Sequence, residues 1–595
     1  MAPKTPKKGK ASAASKIPDI DPNSSFTPEN FEKELKNLAA KAQEETWGKH
    51  LKEQASVYLK SIVLLTFMGI YSNVSQLALS PVYGSIPSSI YHSKLVAAAC
   101  FAGWSSNLFL GRNLPFKPHQ LLPVIAIYIP TVQFFIFKAS DSLGATFGPL
   151  VTETLTLFPL VALSAACVAT QLDWADFSSL PKWLGDAAPG LGSYGTFKAA
   201  EAIFGSLIGP YIGKSFINTR LGLELILAAS YALFAPSKLL LYTIPALLHT
   251  AFLNTHVPTS VALGSLNNTL LPTGWTILDR KESLTGYISV VESIEQGFRV
   301  MRCDHSLLGG EWVKFLNVGQ FKGNQVAEPI YGVFAMLEAV RLVEVPKPVP
   351  DHKANSLVIG LGIGTTPAAL VAHGIDTTVV EIDPVVHEFA LKYFQLPTNH
   401  TGVIEDAVSY AARLANDTAG KRFDYIVHDV FTGGAEPIAL FTLEFLQDLS
   451  TLLKPGGVIA INYAGDFTLP PPKVVVETIR EVFPSCRIFR EHPRDEDEVE
   501  KTGRDFTNMV IFCTKTERRI TFRKPTRRDL LNSPSRDSFL FPKHEVTDGH
   551  FLTGHDEGIL RRNDTEKLVK WHEKSAVGHW NVMRNVLPPL VWENW

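Results

Sequence analysis

The sequence predicts an α-helical transmembrane bundle of six or seven spans, followed by an α/β domain with a mostly parallel sheet and a small β-rich segment at its start. Two observations carry this expectation. Charge is unevenly spread: the 595 residues hold 56 Lys+Arg and 58 Asp+Glu, yet residues 57–258 carry only 17 of them. So long a region with so few charges would starve a water-facing surface. Beyond Leu271 the pattern becomes short apolar runs that end in glycine or an acid and alternate with helical stretches, which is the rhythm of βαβ units. The net charge of −2 excludes a dedicated nucleic-acid binder, which needs a basic excess.

Residues 1–27 hold Lys4, Lys7, Lys8, Lys10 and Lys16 among Pro, Ser and Ala. They are expected to be disordered, because few large apolar side chains offset chain entropy. No apolar stretch precedes Val57, so a cleaved leader is not expected. Residues 28–56 read as an amphipathic helix capped by Thr27, with Pro28 at its first position and Phe31, Leu35 and Leu38 on one face. The multi-pass membrane region follows over 57–258. Its first span runs from 61 to about 79, with further candidates near 95–110, 121–137, 155–170, 202–212, 221–235 and 239–254. The basic tail, with Arg112 and Lys117, marks the N-terminus as cytoplasmic. A soluble domain on the same cytosolic side requires an even number of crossings, which favours six. Glu153, Glu201 and Glu224 fall within or beside spans. The five cysteines, Cys100, Cys167, Cys303, Cys486 and Cys513, show no paired spacing and read as packing residues. No metal site is expected.

A β-rich segment and linker occupy 270–350, with a hairpin expected from runs 287–292 and 298–303 around Gln296-Gly297. The cofactor-binding domain is placed at 351–515. An apolar strand at 356–359 runs into Gly360-Leu361-Gly362-Ile363-Gly364 and a helix over 366–373, and a second strand ends at Glu381, 21 residues after Gly360. Glycines let a backbone approach a ligand closely, a helix N-terminus offers oriented N–H groups, and a strand-end carboxylate accepts from a ribose diol. Two more strands end in acids, at Asp406 and Asp429, which gathers acids on one rim of the sheet. Later come a helix over 437–453, a Lys454-Pro455-Gly456-Gly457 turn, a strand over 458–463, a helix over 474–483, and strands over 487–490 and 508–513 that pair as a hairpin.

This order resembles the Rossmann-like class I S-adenosylmethionine-dependent methyltransferase fold, whose turn before the fifth strand often reads LKPGG, as residues 453–457 do. Over about residues 283–515 the chain further resembles the spermidine and spermine synthases, the polyamine aminopropyltransferases. Three blocks carry that resemblance: Ser283, Ile288 and Asp304 in the β-rich segment; Glu328-Pro329-Ile330-Tyr331; and Val380-Glu381-Ile382-Asp383-Pro384, followed by Asp406, Asp429 and Leu440-Phe441. The resemblance implies S-adenosylmethionine or its decarboxylated form as donor. Gly360, Gly362 and Gly364 would wrap the methionine part, Glu381 would hold the ribose, and Asp406 with Ala407 would face the adenine. Tyr331 would lie beside the acceptor amine, and Asp429 would be the remaining acid near the reacting carbon.

The departures fall on the polyamine grip. Thr432 stands where the family has a second acid, and Ile363 where it has the acid that pairs with the cofactor amine. Gly286 and Leu308 replace two glutamines, and Val333 and Leu337 replace a Glu and a His. Losing several charge-assisted bonds of about 1.5–3 kcal/mol each should weaken polycation binding. The leading expectation is a membrane-anchored transferase of this family, with methyl transfer or a catalytically silent cofactor sensor as alternatives. A transporter with a fused regulatory domain ranks last. His305 and His428 are candidate bases, and the polar run 303–312 is a candidate acceptor-side loop. The expected partners are membrane lipid, an unidentified small-molecule acceptor and, optionally, a second copy of the chain as a homodimer.

Residues 516–595 form a C-terminal extension. The basic cluster over 515–528 could meet anionic headgroups. Trp571, Trp580, Trp592 and Trp595 are expected to dock on the soluble domain or lie at a membrane interface.

Overall fold

The computed structural model describes residues 28–177, 180–315, 326–430, 433–434, 436–552 and 558–595. The basic tail, Thr27 and Thr432 lie outside them. The amphipathic helix and the first span prove to be one helix, Pro28–Tyr83. Leu35, expected on its apolar face, is exposed.

The span count is corrected. Among the described residues, two helical stretches, Trp47–Tyr83 and Pro118–Phe137, are long and apolar enough to cross a bilayer. There is a third if Ser140–Leu155 and Leu157–Leu172, bent by 40°, act as one. Length explains much of the shortfall. Arg220–Phe234 has 15 residues and Ile244–Phe252 has 9, whereas a hydrocarbon core of about 30 Å takes roughly 20 helical residues. His92–Asn113 and Lys182–Ile208 are longer but diluted by Ser, Asn, Gly and Lys. These helices bury a common apolar core that includes Leu64, Met68, Val96, Val161 and Phe197.

The part beyond the helical bundle holds two sheets. β1 (Trp275–Glu282), β2 (Tyr287–Ser293), β3 (Phe298–Cys303) and β4 (Ser306–Trp312) form an antiparallel meander. The run 303–312 is therefore the β3–β4 hairpin and not a loop. The second sheet comprises β5 (Asn355–Ile359), β6 (Asp376–Glu381), β7 (Thr401–Ile404), β8 (Phe423–His428), β9 (Leu453–Asp466), β10 (Ser485–Arg490), β11 (Phe506–Thr514) and β12 (His544–Val546). Its spatial order is β12-β10-β11-β9-β8-β5-β6-β7. The five strands from β9 to β7 are parallel, and β11, β10 and β12 are antiparallel. Apolar cores cover both faces, one containing Val358, Val427 and Ala460 and the other Ile359, Ile426 and Ile461. This is the methyltransferase-like α/β fold.

Two cysteines depart from the packing expectation. Cys486 and Cys513 face each other in the β10–β11 register and form a disulfide with Cα atoms 4.2 Å apart. The pairing follows from strand register, which Cys spacing does not reveal.

Buried arginines join the bundle to the sheets. Arg220, at the head of a bundle helix, donates to Glu282 at 3.1 Å and to Asp304 at 3.3 Å. Arg302 on β3 donates to the carbonyls of Pro81, Val591 and Asn594. The helix Glu566–Val586 seals the same junction, since Trp580 Nε1 and Arg584 both donate to the Val82 carbonyl. Trp592 and Trp595 are buried there. The basic cluster is partly spent within the domain: Arg523 pairs with Asp529, Arg518 donates to the Glu344 carbonyl and Lys515 to that of Leu453.

Candidate active site

β5 stops where its chain must turn tightly at the switch point between β5 and β8, the place where open α/β sheets leave a crevice. Gly360 and Gly362 adopt φ of 83° and 54°, a region that L side chains rarely enter. A Cβ on Gly360 would come within 2.1 Å of the Asp429 carbonyl oxygen, and one on Gly362 within 2.4 Å of the Leu308 carbonyl oxygen. Glycine is thus required by contact as well as by φ. Gly364 caps the following helix, Thr365–Ala372.

Glu381 closes β6. Its two oxygens accept backbone N–H bonds from Leu361 at 3.0 Å and from Asp383 at 2.9 Å, so it braces the glycine turn from the side. Burial outweighs these bonds and pushes its carboxyl up to about 7. Asp383 in turn takes the Ser283 hydroxyl at 2.7 Å and the Thr285 hydroxyl at 2.6 Å, which fixes the β1–β2 hairpin over the same edge. Asp406 caps the helix Ala407–Asn416 by accepting from the Ser409 N–H and hydroxyl, while Ala407 is buried at its first position.

Asp429 follows β8. Burial pushes its carboxyl up to about 6, against the opposing effect of Asn462, whose amide Nδ2 donates to Asp429 Oδ1 at 2.9 Å. The β8–β9 register pairs His428 with Ile461, so Asp429 and Asn462 are the next neighbours along adjacent parallel strands. Side-chain alternation puts both on the face of Val427 and Ala460, together with the helix Gly332–Leu337. Tyr331 stands at the N-cap of that helix, half-buried, with its ring edge-on to Phe334. Burial, with Glu491 nearby, pushes its hydroxyl up to about 12.

The structure therefore gathers Gly360, Gly362, Gly364, Glu381, Asp406, Ala407 and Asp429 along one carboxyl edge. It does not bring the two histidine candidates there as bases. His428 points to the opposite face, donates to the Leu440 carbonyl at 2.9 Å and packs on Phe441; burial pulls it down to about 4. His305 lies against Trp580 and Trp592, accepts from Arg584 at 3.0 Å, and is held far below its ordinary value by burial. Asp304 is spent on the Tyr287 N–H and Arg220. Ile363, Val333 and Leu337 are buried in the apolar core, so the positions of the polyamine grip serve packing.

Two features were not read from the sequence. One is Asn462, whose signal was a lone polar residue in the apolar run 458–463. The other is the reach of the helix Glu566–Val586. His579 pairs with Ser306 at 3.1 Å and packs on Gly434, and His572 faces Glu436 at 3.1 Å while Glu436 takes the Tyr463 hydroxyl. This helix walls the segment leading away from Asp429.

A glycine turn held at positive φ beside the end of β5, a buried carboxylate at the second strand end and a capped acid at the third fit an adenosyl sulfonium. Comparison with known proteins agrees. Residues 337–489 match the Spermine/spermidine synthase domain family. The chain is 47% identical over 547 residues to the N-terminal histidine N-methyltransferase of Emericella nidulans, which covers 89% of this chain and 96% of the relative. A polyamine aminopropyltransferase of Vibrio vulnificus is 34% identical over 137 residues, 22% of this chain and 44% of that relative, so the chain spans under half of it. Among solved structures, human methyltransferase-like protein 13 in complex with SAH is 24% identical, with 37% of this chain and 96% of that chain covered and a TM-score of 0.26.

Proposed function

The chain belongs to the family of the Emericella nidulans N-terminal histidine N-methyltransferase, and from that premise we propose that it methylates a nitrogen of a histidine at the start of a protein chain. The chain is S-adenosylmethionine-dependent methyltransferase-like, with S-adenosylmethionine as donor. This favours methyl over aminopropyl transfer, the reverse of the ranking drawn from the sequence, and polyamine synthesis is not carried forward. The observation that carries the reading is Asp429: a half-buried acid, with apolar Ile363, Val333 and Leu337 where a polycation would need anions.

When bound, the donor supplies a sulfonium methyl whose C–S electron pair stays on sulfur as a nitrogen lone pair forms the new N–C bond. The chain's residues do the rest. The turn at 360–364 and Glu381 hold the nucleoside end, and Asp406 and Ala407 flank the base. Asp429 accepts a hydrogen bond from the acceptor's N–H and receives its proton, a task suited to a carboxyl lifted toward neutrality. Tyr331 lines the acceptor side. In-line positioning supplies most of the acceleration.

The purified chain, incubated with S-adenosylmethionine and peptides that begin with histidine, should add one methyl mass to the first residue. Transfer only to polyamines, or to no peptide, would defeat the proposal.

We place the helical region in a membrane. For the soluble part, two observations support an oxidising, glycosylating side over the cytosolic side expected from the tail. One is the Cys486–Cys513 disulfide. The other is a set of exposed Asn-x-Thr acceptors at Asn399, Asn416 and Asn563.

A further inference from the structure

Asn462 is nearly fully buried, at 5% exposure. Its Nδ2 is committed to Asp429 at 2.9 Å, and its Oδ1 is buried without a hydrogen-bond partner among the described residues. An orphaned carbonyl oxygen of this kind costs about 1–3 kcal/mol, and native interiors rarely leave one. Its surroundings say what it awaits. It stands beside Asp429, where β8 ends, on the face of the sheet that Val427 and Ala460 share. The amide orientation is set by chemistry, because the group facing a carboxylate must be the N–H₂.

We propose that Asn462 is an acceptor-side site residue: its amide N–H₂ fixes one oxygen of Asp429, and its carbonyl oxygen accepts a hydrogen bond from the methyl-accepting residue. The inference rests on the proposed function and deepens it. Asp429 Oδ2 and Asn462 Oδ1 then form a pair of acceptors side by side, which selects a substrate presenting two N–H groups. A histidine at a chain start presents them from its ring and its α-amine within one residue. A des-amino analogue, with an imidazolepropionyl group in place of the first histidine, retains the ring N–H and has no α-nitrogen.

The test uses the full chain and a histidine-first peptide. Asn462→Leu should leave S-adenosylmethionine binding intact by calorimetry and lower kcat/KM about ten- to hundred-fold, the loss of one or two bonds to a charged or buried group. Peptide affinity, measured with S-adenosylhomocysteine present so that no transfer occurs, should fall about tenfold. The acidic limb of the pH–rate profile should move up by about one pH unit, because the amide donor that favours ionised Asp429 is gone. If the Leu variant fails to bind donor, Asn462→Asp keeps the shape and should move the limb up further. A peptide that begins with the imidazolepropionyl group should bind the wild type more weakly than the histidine-first peptide, whereas Asn462→Leu, which has no acceptor left at this position, should bind the two alike. A limb that stays put in a donor-binding variant, or unchanged peptide affinity, overturns the inference alone. Absence of transfer by the wild type defeats the underlying reading and the inference with it.

Discussion

In the helical bundle Glu153 accepts from Ser75 at 2.8 Å and lies 2.7 Å from His92, while Glu201 takes Ser72 at 2.6 Å and pairs with Lys198. At the sheet's carboxyl edge Asp429 has one amide donor, and that amide keeps an empty acceptor beside it. Both regions bury carboxylates. The bundle closes Glu153 and Glu201 with local partners, as a scaffold does, while Glu224 Oε1 in the bundle and Asn462 Oδ1 at the edge are each buried without a partner among the described residues. Burial of an acid by itself does not mark a site; an unfinished hydrogen-bond set at a switch point does. That contrast removes the motive for reading Glu153 and Glu201 as a transport pathway.

The contrast can be broken first at Asp429. Asp429→Asn should lower kcat about 10²–10⁴-fold, the range for a positioned acid or base, with donor binding by calorimetry unchanged. In the wild type, activity should be lost as pH falls through about 6, because the working form is the carboxylate and its folded value is raised. A rate that is flat from pH 5 to 8 would count against Asp429.

The donor half of the edge comes next. Glu381→Ala should weaken donor affinity by about ten- to hundred-fold, since it removes both a ligand group and the brace under the glycine turn. Gly360→Ala should do the same without removing any polar group, because its Cβ would strike the Asp429 carbonyl and force the turn to shift. Donor binding that survives both would place the nucleoside elsewhere.

The bundle should respond in the opposite manner. Breaking the buried pair with His92→Ala should cost about 3–5 kcal/mol of stability, read as a lower melting temperature, while kcat of the folded fraction stays within about twofold. A large kcat loss at full folding would tie the bundle network to catalysis. The smallest effect expected is on location. An endoglycosidase should shift the chain's mobility, and replacing Asn399, Asn416 and Asn563 by Gln should abolish the shift with activity retained. A wild type that shows no shift argues for the cytosolic side.

Much of the edge was legible in the sequence because its signals are local. Gly360, Gly362 and Gly364 lie in the turn that follows an apolar strand, while Glu381 ends the next strand, Asp406 lies just beyond the third and Asp429 follows directly on the fourth. A strand end fixes where its next side chain goes. The histidines misled for the same reason. His428 adjoins Asp429 in sequence, but strand alternation turns it to the other face and into Phe441. His305 adjoins Asp304, yet aromatic rings from the far C-terminus enclose it. Low charge suggested six or seven spans, while helix length among the described residues allows two or three.

Composition and short-range order thus determined that a charge-poor helical region precedes a parallel α/β sheet with glycines and acids on one rim. These follow from hydration and from backbone periods of two and 3.6, which act over a few residues. Folding in three dimensions decided the rest: the Asn462–Asp429 pair, the Cys486–Cys513 bond and the helix Glu566–Val586 against Ser306 and Gly434. Each joins residues from 27 to nearly 300 positions apart. Strand register and packing create such contacts, and no local pattern encodes a register.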